Sequence, residues 1–328
     1  MALGKKILIT GANGFLGSQL AVYLASQGYE VIGAVRDKSK TEHLRQKNIV
    51  VTQTDYGKDF VNLINDVDVL VHAAALLASS FKSNKHDFYK ANVELTGNLL
   101  KQASKANLRR FIFISSVGLY GSTNGKRVSE SEKASGKLSL YERTKHEAEK
   151  SCIDFFGKTP VVILRLSQLY GPTMKYGWPE VFKQILNNKF YILGKGKGTI
   201  QPLYIDDAVR AIEKVIAGRG KDGQIYNLAG GNTVTLDELF NHMAKILRTK
   251  PIRHLPYYPV LILSYLLKLI PASIKPAKLN LLSPHNVSFF SQKRSYDITK
   301  AKTELDFNPI VDIEEGLTET INSWKTGK

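Results

Sequence analysis

Three tyrosines in this chain stand four residues before a lysine: Tyr141/Lys145, Tyr191/Lys195 and Tyr296/Lys300. Residues four apart share one face of a helix, so such a pair can join a phenol to an ammonium. A phenol with its ordinary pKa near 10 is a poor acceptor of protons at neutral pH. A neighbouring ammonium stabilises the phenolate and moves that pKa towards a useful value. The chemistry open to the pair is proton transfer, and the lysine keeps donors to spare for ribose hydroxyls. Context separates the three. Tyr191 precedes the glycine-broken ILGKGKG, and Tyr296 lies late in a basic segment with no strand-end serine upstream at a comparable distance. Tyr141 opens an amphipathic stretch, 141–156, and follows by 25 residues the run RFIFISS (110–116), which ends in Ser115 and Ser116. Open α/β sheets bind ligands beyond the carboxyl ends of their strands, which points both serines at a ligand.

A serine-ended strand followed by a helix needs a larger frame. The runs KILIT (6–10), EVIGAVR (30–36), IVVTQ (49–53), DVLVHA (68–73), RFIFISS (110–116) and VVILRL (161–166) carry no internal proline and read as buried strands. Amphipathic stretches such as 16–27, 88–106 and 141–156 lie between them. This rhythm predicts right-handed βαβ units and a doubly wound parallel sheet covered on both faces, an α/β fold. Beyond Leu166 loops intervene, with helical patterns at 206–218, 235–247 and 312–326 and one further strand in QIYNLA (224–229). We expect a dinucleotide-binding part in 1–166, with 203–229 returning to it, and a smaller substrate-binding part in 167–328.

The first strand runs directly into TGANGFLG, with glycines at Gly11, Gly14 and Gly17. Gly11 suits a tight turn, Gly14 close approach of the backbone to a pyrophosphate, and Gly17 helix-to-strand packing. Asn13, Phe15 and Leu16 belong to the same cofactor-facing turn, and the helix that follows offers its N-terminal amides to phosphate. The spacing is GxxGxxG rather than GxGxxG, so its placement between strand and helix carries the assignment. The second strand ends AVRDKSK. Arg36 there suits a 2′-phosphate and favours NADP(H); a shift of one residue would make Asp37 the ribose ligand of NAD(H). Asp55 can accept from an adenine amine or serve as a plain loop residue. Ala73, Ala74 and Ala75 put small side chains at the end of the fourth strand, against either the cofactor or a helix.

Charge and composition bound the rest. A net charge of +17 fits a solvated basic surface or an attraction to nucleic acid, anionic lipid, or a phosphorylated cofactor or substrate. No nucleic-acid-binding signature accompanies it, so no nucleic acid partner is expected. The single cysteine, Cys152, excludes a disulfide within the chain and suits a reducing, cytoplasmic setting. The seven histidines form no metal-ligand set and there is no GxSxG elbow, so neither metal nor serine-hydrolase chemistry is expected. The run VLILSYLLKLI (260–270) is too short to span a bilayer and reads as a buried helix. Its alternative is a surface leaning on lipid, a peripheral membrane contact through 255–271.

With these residues in hand, the chain resembles the extended short-chain dehydrogenase/reductase family, also called the NAD-dependent epimerase/dehydratase family. The segments TGANGFLG, VHAAA, NVELTGNLL, FISSVGLYG, YERTK, RLSQLYGP, YIDDAVRAI and YNLAGG follow the family's order over about residues 5–324. The resemblance implies a Rossmann domain with a smaller, discontinuous substrate domain. It also implies that Ser116 orients the reacting oxygen, Tyr141 transfers its proton and Lys145 supplies the field while hydride passes to or from nicotinamide. The family's helix asparagine matches Asn92, although Leu95-Thr96-Gly97 departs from the usual Gly-Thr order. Two branches remain open for a small-molecule substrate. AVRDKSK and the greasy LPYYPVLILSYLLKLIP resemble 3β-hydroxysteroid dehydrogenases and dihydroflavonol reductases, the branch this reading favours. The alternative is a nucleotide-sugar epimerase or dehydratase with tightly bound NAD, which a basic substrate part suits. The sugar branch often has an arginine where this chain has Gln201. Ser167, Gln201 and Tyr204 are the expected substrate contacts, and a homodimer is a further expectation. A non-catalytic cofactor sensor would normally lack the Tyr/Lys pair; a membrane-associated scaffold would need only the basic, apolar C-terminal region.

Overall fold

A computed structural model of the chain describes residues 5–55, 60–77, 84–135, 138–270 and 282–327. Seven of the predicted apolar runs become strands: β1 Lys6–Thr10, β2 Glu30–Val35, β3 Val50–Gln53, β4 Val69–His72, β5 Arg110–Ser116, β6 Val161–Leu166 and β7 Gln224–Leu228. They form one parallel sheet in the order β3-β2-β1-β4-β5-β6-β7. Alternate residues of each central strand enter opposite layers. Ile7 and Ile9 join one buried cluster and Leu8 the other; Ile112 and Ile114 join the first, Phe111 and Phe113 the second. Both faces are therefore apolar, which is why these strands read as continuous hydrophobic runs. The chain winds outward from β1 to β3, then crosses back to β4 on the other side of β1. That reversal opens a crevice at the carboxyl ends of β1 and β4.

Helices flank the sheet. α1 (Phe15–Ser26) follows β1, α2 (Leu95–Ala103) precedes β5 and α3 (Leu140–Ile153) precedes β6. The predicted helix over 88–106 is interrupted. A short helix, Lys85–Tyr89, passes into a π-helical turn, Lys90–Glu94, before α2 begins. Beyond the sheet lie α4 (Trp178–Leu186), α5 (Ile205–Ala217), α6 (Leu236–Ile246), α7 (Tyr257–Lys268), α8 (Pro284–Phe289), α9 (Thr299–Leu305) and α10 (Ile313–Thr326). α5 packs on α1, and α10 packs on α4 and α6.

α7 departs from expectation. The greasy run does form a helix, yet only Ser264 in it is buried. The buried-helix reading gives way: among the described residues the helix packs chiefly on α8, and most of its apolar side chains stay exposed. Among the described residues no helix is long and apolar enough to cross a membrane.

Candidate active site

The crevice holds a cleft of about 1590 Å³ that runs from the glycine turn across the carboxyl ends of the sheet. Single small-molecule pockets span roughly 300–1,000 Å³, so this one has room for a dinucleotide and a second ligand. Gly11 turns with φ +70°, and a Cβ there would come within 2.8 Å of Ala74 Cα. Only glycine allows the β1 turn and the β4 loop to approach so closely. Gly11, Asn13, Gly14, Phe15, Leu16 and Gly17 all line the cleft, as do Ala73, Ala74 and Ala75. Gly14 is the N-cap of α1 and no side chain caps that helix. Its first-turn amides and positive end are thus left for an anion, the arrangement a dinucleotide's pyrophosphate requires. The residues present fit such a cofactor. Arg36 and Asp55 line the same end. Asp37 instead caps the turn after β2, its carboxylate accepting from Ser39 N and Oγ at 2.8 Å each.

At the carboxyl end of β5 the cleft wall carries Ser116, Tyr141 and Lys145. Ser116 Oγ accepts from Gly118 N at 3.0 Å, which leaves its own proton to be donated elsewhere. Ser115 does different work: its hydroxyl donates to Glu149 at 2.7 Å, and Glu149 pairs with the buried Arg165. A capping box of Ser139 and Glu142 fixes where α3 begins. It sets Tyr141 in the first turn and Lys145 one turn on, the latter's ammonium 4.0 Å from the centre of the Phe113 ring. The other two Tyr/Lys pairs come apart. Tyr191 stacks under Arg253, and Lys300 is drawn to Gln224 Oε1 and Ile225 O.

The electrostatics correct one expectation. Burial, with a smaller push from Glu142, raises the Tyr141 phenol to about 12. Burial lowers Lys145 to about 8, against the pull of Cys152 and Glu149. Desolvation and Glu142 both act upward on the phenol, so in the free protein it is not brought towards neutrality.

Asn92 is also moved from its expected place. It does not line the cleft. The π-helical turn aims it inward, where Oδ1 accepts from Leu76 N at 2.7 Å and Nδ2 donates to Leu76 O at 3.1 Å and Thr144 Oγ1 at 3.0 Å. It clasps the loop after β4 to α3. A second brace runs beside it. His72, fully buried and lowered to about 3 by desolvation and Lys145, bridges Thr10 Oγ1 at 2.7 Å and Thr96 Oγ1 at 2.9 Å as a neutral ring.

Of the expected substrate contacts, Ser167 lines the cleft, and its buried Oγ has no hydrogen-bond partner among the described residues. Gln201 borders the cleft, but both ends of its amide are used: Nε2 donates to Gly230 O at 2.6 Å, and Oε1 accepts from Tyr296 N at 2.8 Å. Tyr204 is not among the lining residues. It is buried beside Tyr170 with its hydroxyl on Glu319, so it supports the core instead of touching a ligand.

Arg294 is the residue that sequence reasoning missed. Its segment is stitched to the chain by Thr123 N on Lys293 O at 2.7 Å and Arg294 N on Thr199 Oγ1 at 3.0 Å. The guanidinium lies 4.5 Å over Phe289, Nη2 donates to Gln292, and burial pushes its pKa down. Arg294 lines the cleft, and its buried Nη1 has no hydrogen-bond partner among the described residues. The signal in the sequence was a single arginine among nine Lys/Arg over 250–302, which charge counting cannot distinguish.

Comparison with known proteins follows the same lines. Residues 7–229 match the profile of the NAD dependent epimerase/dehydratase family. The chain is 29% identical over 336 residues to the uncharacterized UDP-glucose epimerase YtcB of Bacillus subtilis (strain 168), covering 96% of both. It is 24% identical to the decarboxylating sterol-4-alpha-carboxylate 3-dehydrogenase of Dictyostelium discoideum, covering 96% of this chain and 99% of that one. Among solved structures, the UDP-glucuronic acid 4-epimerase of Bacillus cereus in complex with UDP-glucuronic acid and NAD superposes with a TM-score of 0.79 at 26% identity, over 98% of this chain and 100% of the other.

Proposed function

The chain belongs to the NAD-dependent epimerase/dehydratase family, and from that premise we propose that it epimerises a secondary hydroxyl of a nucleotide-sugar. The sequence had favoured the steroid and flavonol branch; the relatives favour the sugar branch. The observation that carries the reading is the orphaned Arg294 Nη1, with Ser167 Oγ the second unpartnered atom on the same wall. A buried guanidinium donor left unpaired is costly, and a diphosphate supplies its acceptor by a charge-assisted hydrogen bond. A sterol offers no diphosphate, and at most a single carboxylate.

In this reading residues 1–166 with 203–229 hold the cofactor, and the rest of 167–328 holds the sugar nucleotide. Tyr141 takes the proton of the reacting hydroxyl and returns it after the sugar has presented its other face. Ser116 donates to the oxygen throughout, and Lys145 adds positive charge beside the phenol. The nicotinamide, when bound, accepts and gives back the hydride. Elimination of water is less well served, since it needs an acid and a base of its own. Val117 and Gly118 follow Ser116, and the lining carboxylates among the described residues are Asp55, Asp87 and Glu142. Asp87 and Glu142 are both tied up in capping boxes. For the cofactor, Arg36 on the cleft and Asp37 turned onto Ser39 support NADP(H) over NAD(H).

Purified protein incubated with UDP-glucose or UDP-glucuronic acid should yield the epimer by NMR with no lasting change in absorbance at 340 nm. Arg294→Met should raise KM by at least about tenfold, the loss of one charge-assisted bond, with kcat far less affected. Steady accumulation of reduced cofactor without epimer, or an unchanged KM, rejects the reading.

A further inference from the structure

α7 shows solvent the face that a water-exposed helix would make polar. Its inward positions, 257, 260, 261, 264 and 267, recur at helical spacing, and Tyr257 OH lies 2.9 Å from Ser291 Oγ just beyond α8. Its outward positions recur at the same spacing and are also apolar: Tyr258 is 74% exposed, Ile262 61%, Tyr265 58%, Leu266 57% and Leu269 79%. A helix apolar all round is normally buried, and among the described residues nothing covers the stripe along this one.

Charge says what covers it. The chain has no acidic residue between Glu238 and Asp297. Lys250 and the exposed Arg253 lead into α7 and Lys268 lies in its last turn. The loop that carries the exposed Lys195 and Lys197 is joined to the α7 entrance by Gly194 N on Leu255 O at 2.8 Å. Asp237, which faces this end, is paired with His254 at 3.1 Å. We propose that α7 is a membrane-docking helix that lies in the interface of a bilayer bearing anionic headgroups. An apolar stripe enters the acyl boundary, tyrosines sit at headgroup level, and lysine and arginine at both ends meet the lipid charge. Twelve residues span about 18 Å, too short to cross, so the helix lies flat. A second copy of the chain fits less well, because an isologous contact would bring these basic ends together without an acid to offset them. α8, packed on α7, carries His285 and Phe289 on the cleft wall, so docking sets the substrate end of the cleft beside the membrane.

Flotation of the full chain with phosphatidylcholine vesicles, with and without phosphatidylglycerol, tests the proposal. The wild type should float with the anionic vesicles and less so at high salt. The double variant Ile262→Ser/Leu266→Ser, altered only at exposed positions, should lose at least about tenfold in vesicle affinity, given the apolar area removed. Its thermal unfolding and cofactor binding should match the wild type, which separates lost docking from lost folding. A wild type that stays at the bottom of the gradient, or a variant that floats equally, overturns the proposal. A dimer that the variant breaks, with no vesicle binding by the wild type, assigns the face to a second copy instead.

Discussion

A phenol raised to about 12 keeps its proton at neutral pH, so Tyr141 in the free protein is poised as a donor to a carbonyl. To take a proton it needs positive charge nearby that offsets desolvation and Glu142. Tyr141→Phe keeps the ring and removes the transferable proton. It should lower kcat by at least about 2 orders of magnitude, the scale of general acid–base catalysis, with cofactor binding retained in a fluorescence titration. Lys145 makes a second, thermodynamic prediction. Its pKa, lowered to about 8 by burial, sits below that of an exposed lysine, so the unfolded chain binds the extra proton between about 8 and 10.5. The charge therefore costs stability, ~3 kcal/mol, in full below pH 8, and the cost fades as pH rises towards 10.5. Lys145→Met should be more stable than wild type in urea at pH 7 and no more stable near pH 10.5. An equal gain at both would place the effect in packing and not in charge.

At the scale of elements, the π-helical turn at Lys90–Glu94 does what a regular helix through the same residues would not. It turns Asn92 inward against Leu76 and Thr144, and so couples the loop after β4 to the helix that carries Tyr141 and Lys145. Asn92→Leu removes every partner of that clasp while leaving the volume similar. Each buried group left unpaired costs about 1–3 kcal/mol, so the variant should unfold at clearly lower urea. If it folds, activity should fall through kcat, because the proton-transfer pair loses its register with the cofactor loop. Unchanged stability would mean that the clasp is replaced by water. The helical period over 88–106 was readable from the apolar positions, but a one-residue widening of the ladder leaves no trace in that period. Gln201 teaches the same lesson. A polar residue in a loop suggested a ligand contact, and the fold spends its amide on the backbones of Gly230 and Tyr296.

For the whole molecule, the cleft joins a cofactor end to a basic end across one sheet, and ligand binding should stabilise the native state by mass action. At a hundred times its Kd a ligand adds about 2.7 kcal/mol. NADP(H) should therefore raise the melting temperature at lower concentration than NAD(H). Arg36→Ala should erase that advantage while leaving the NAD(H) shift in place. A larger shift with NAD(H) in the wild type would reverse the cofactor assignment and leave the epimerase reading untouched.

What the sequence determined by itself was local. Continuous apolar runs marked seven strands, the glycine turn after β1 marked the phosphate end, and a phenol and ammonium four apart after a serine-ended strand marked the reacting end. Each is a pattern within one element or between neighbours in the chain, where covalent geometry already limits the outcome. The tertiary structure decided the rest. Arg294 reaches the cleft because its backbone is tied to Thr199, 95 residues away. Tyr204 becomes core through Glu319, 115 residues away. α7 keeps an exposed apolar face because, among the described residues, the fold packs it chiefly on α8. No periodicity encodes contacts at such separations; they follow from how packed layers close around one cleft.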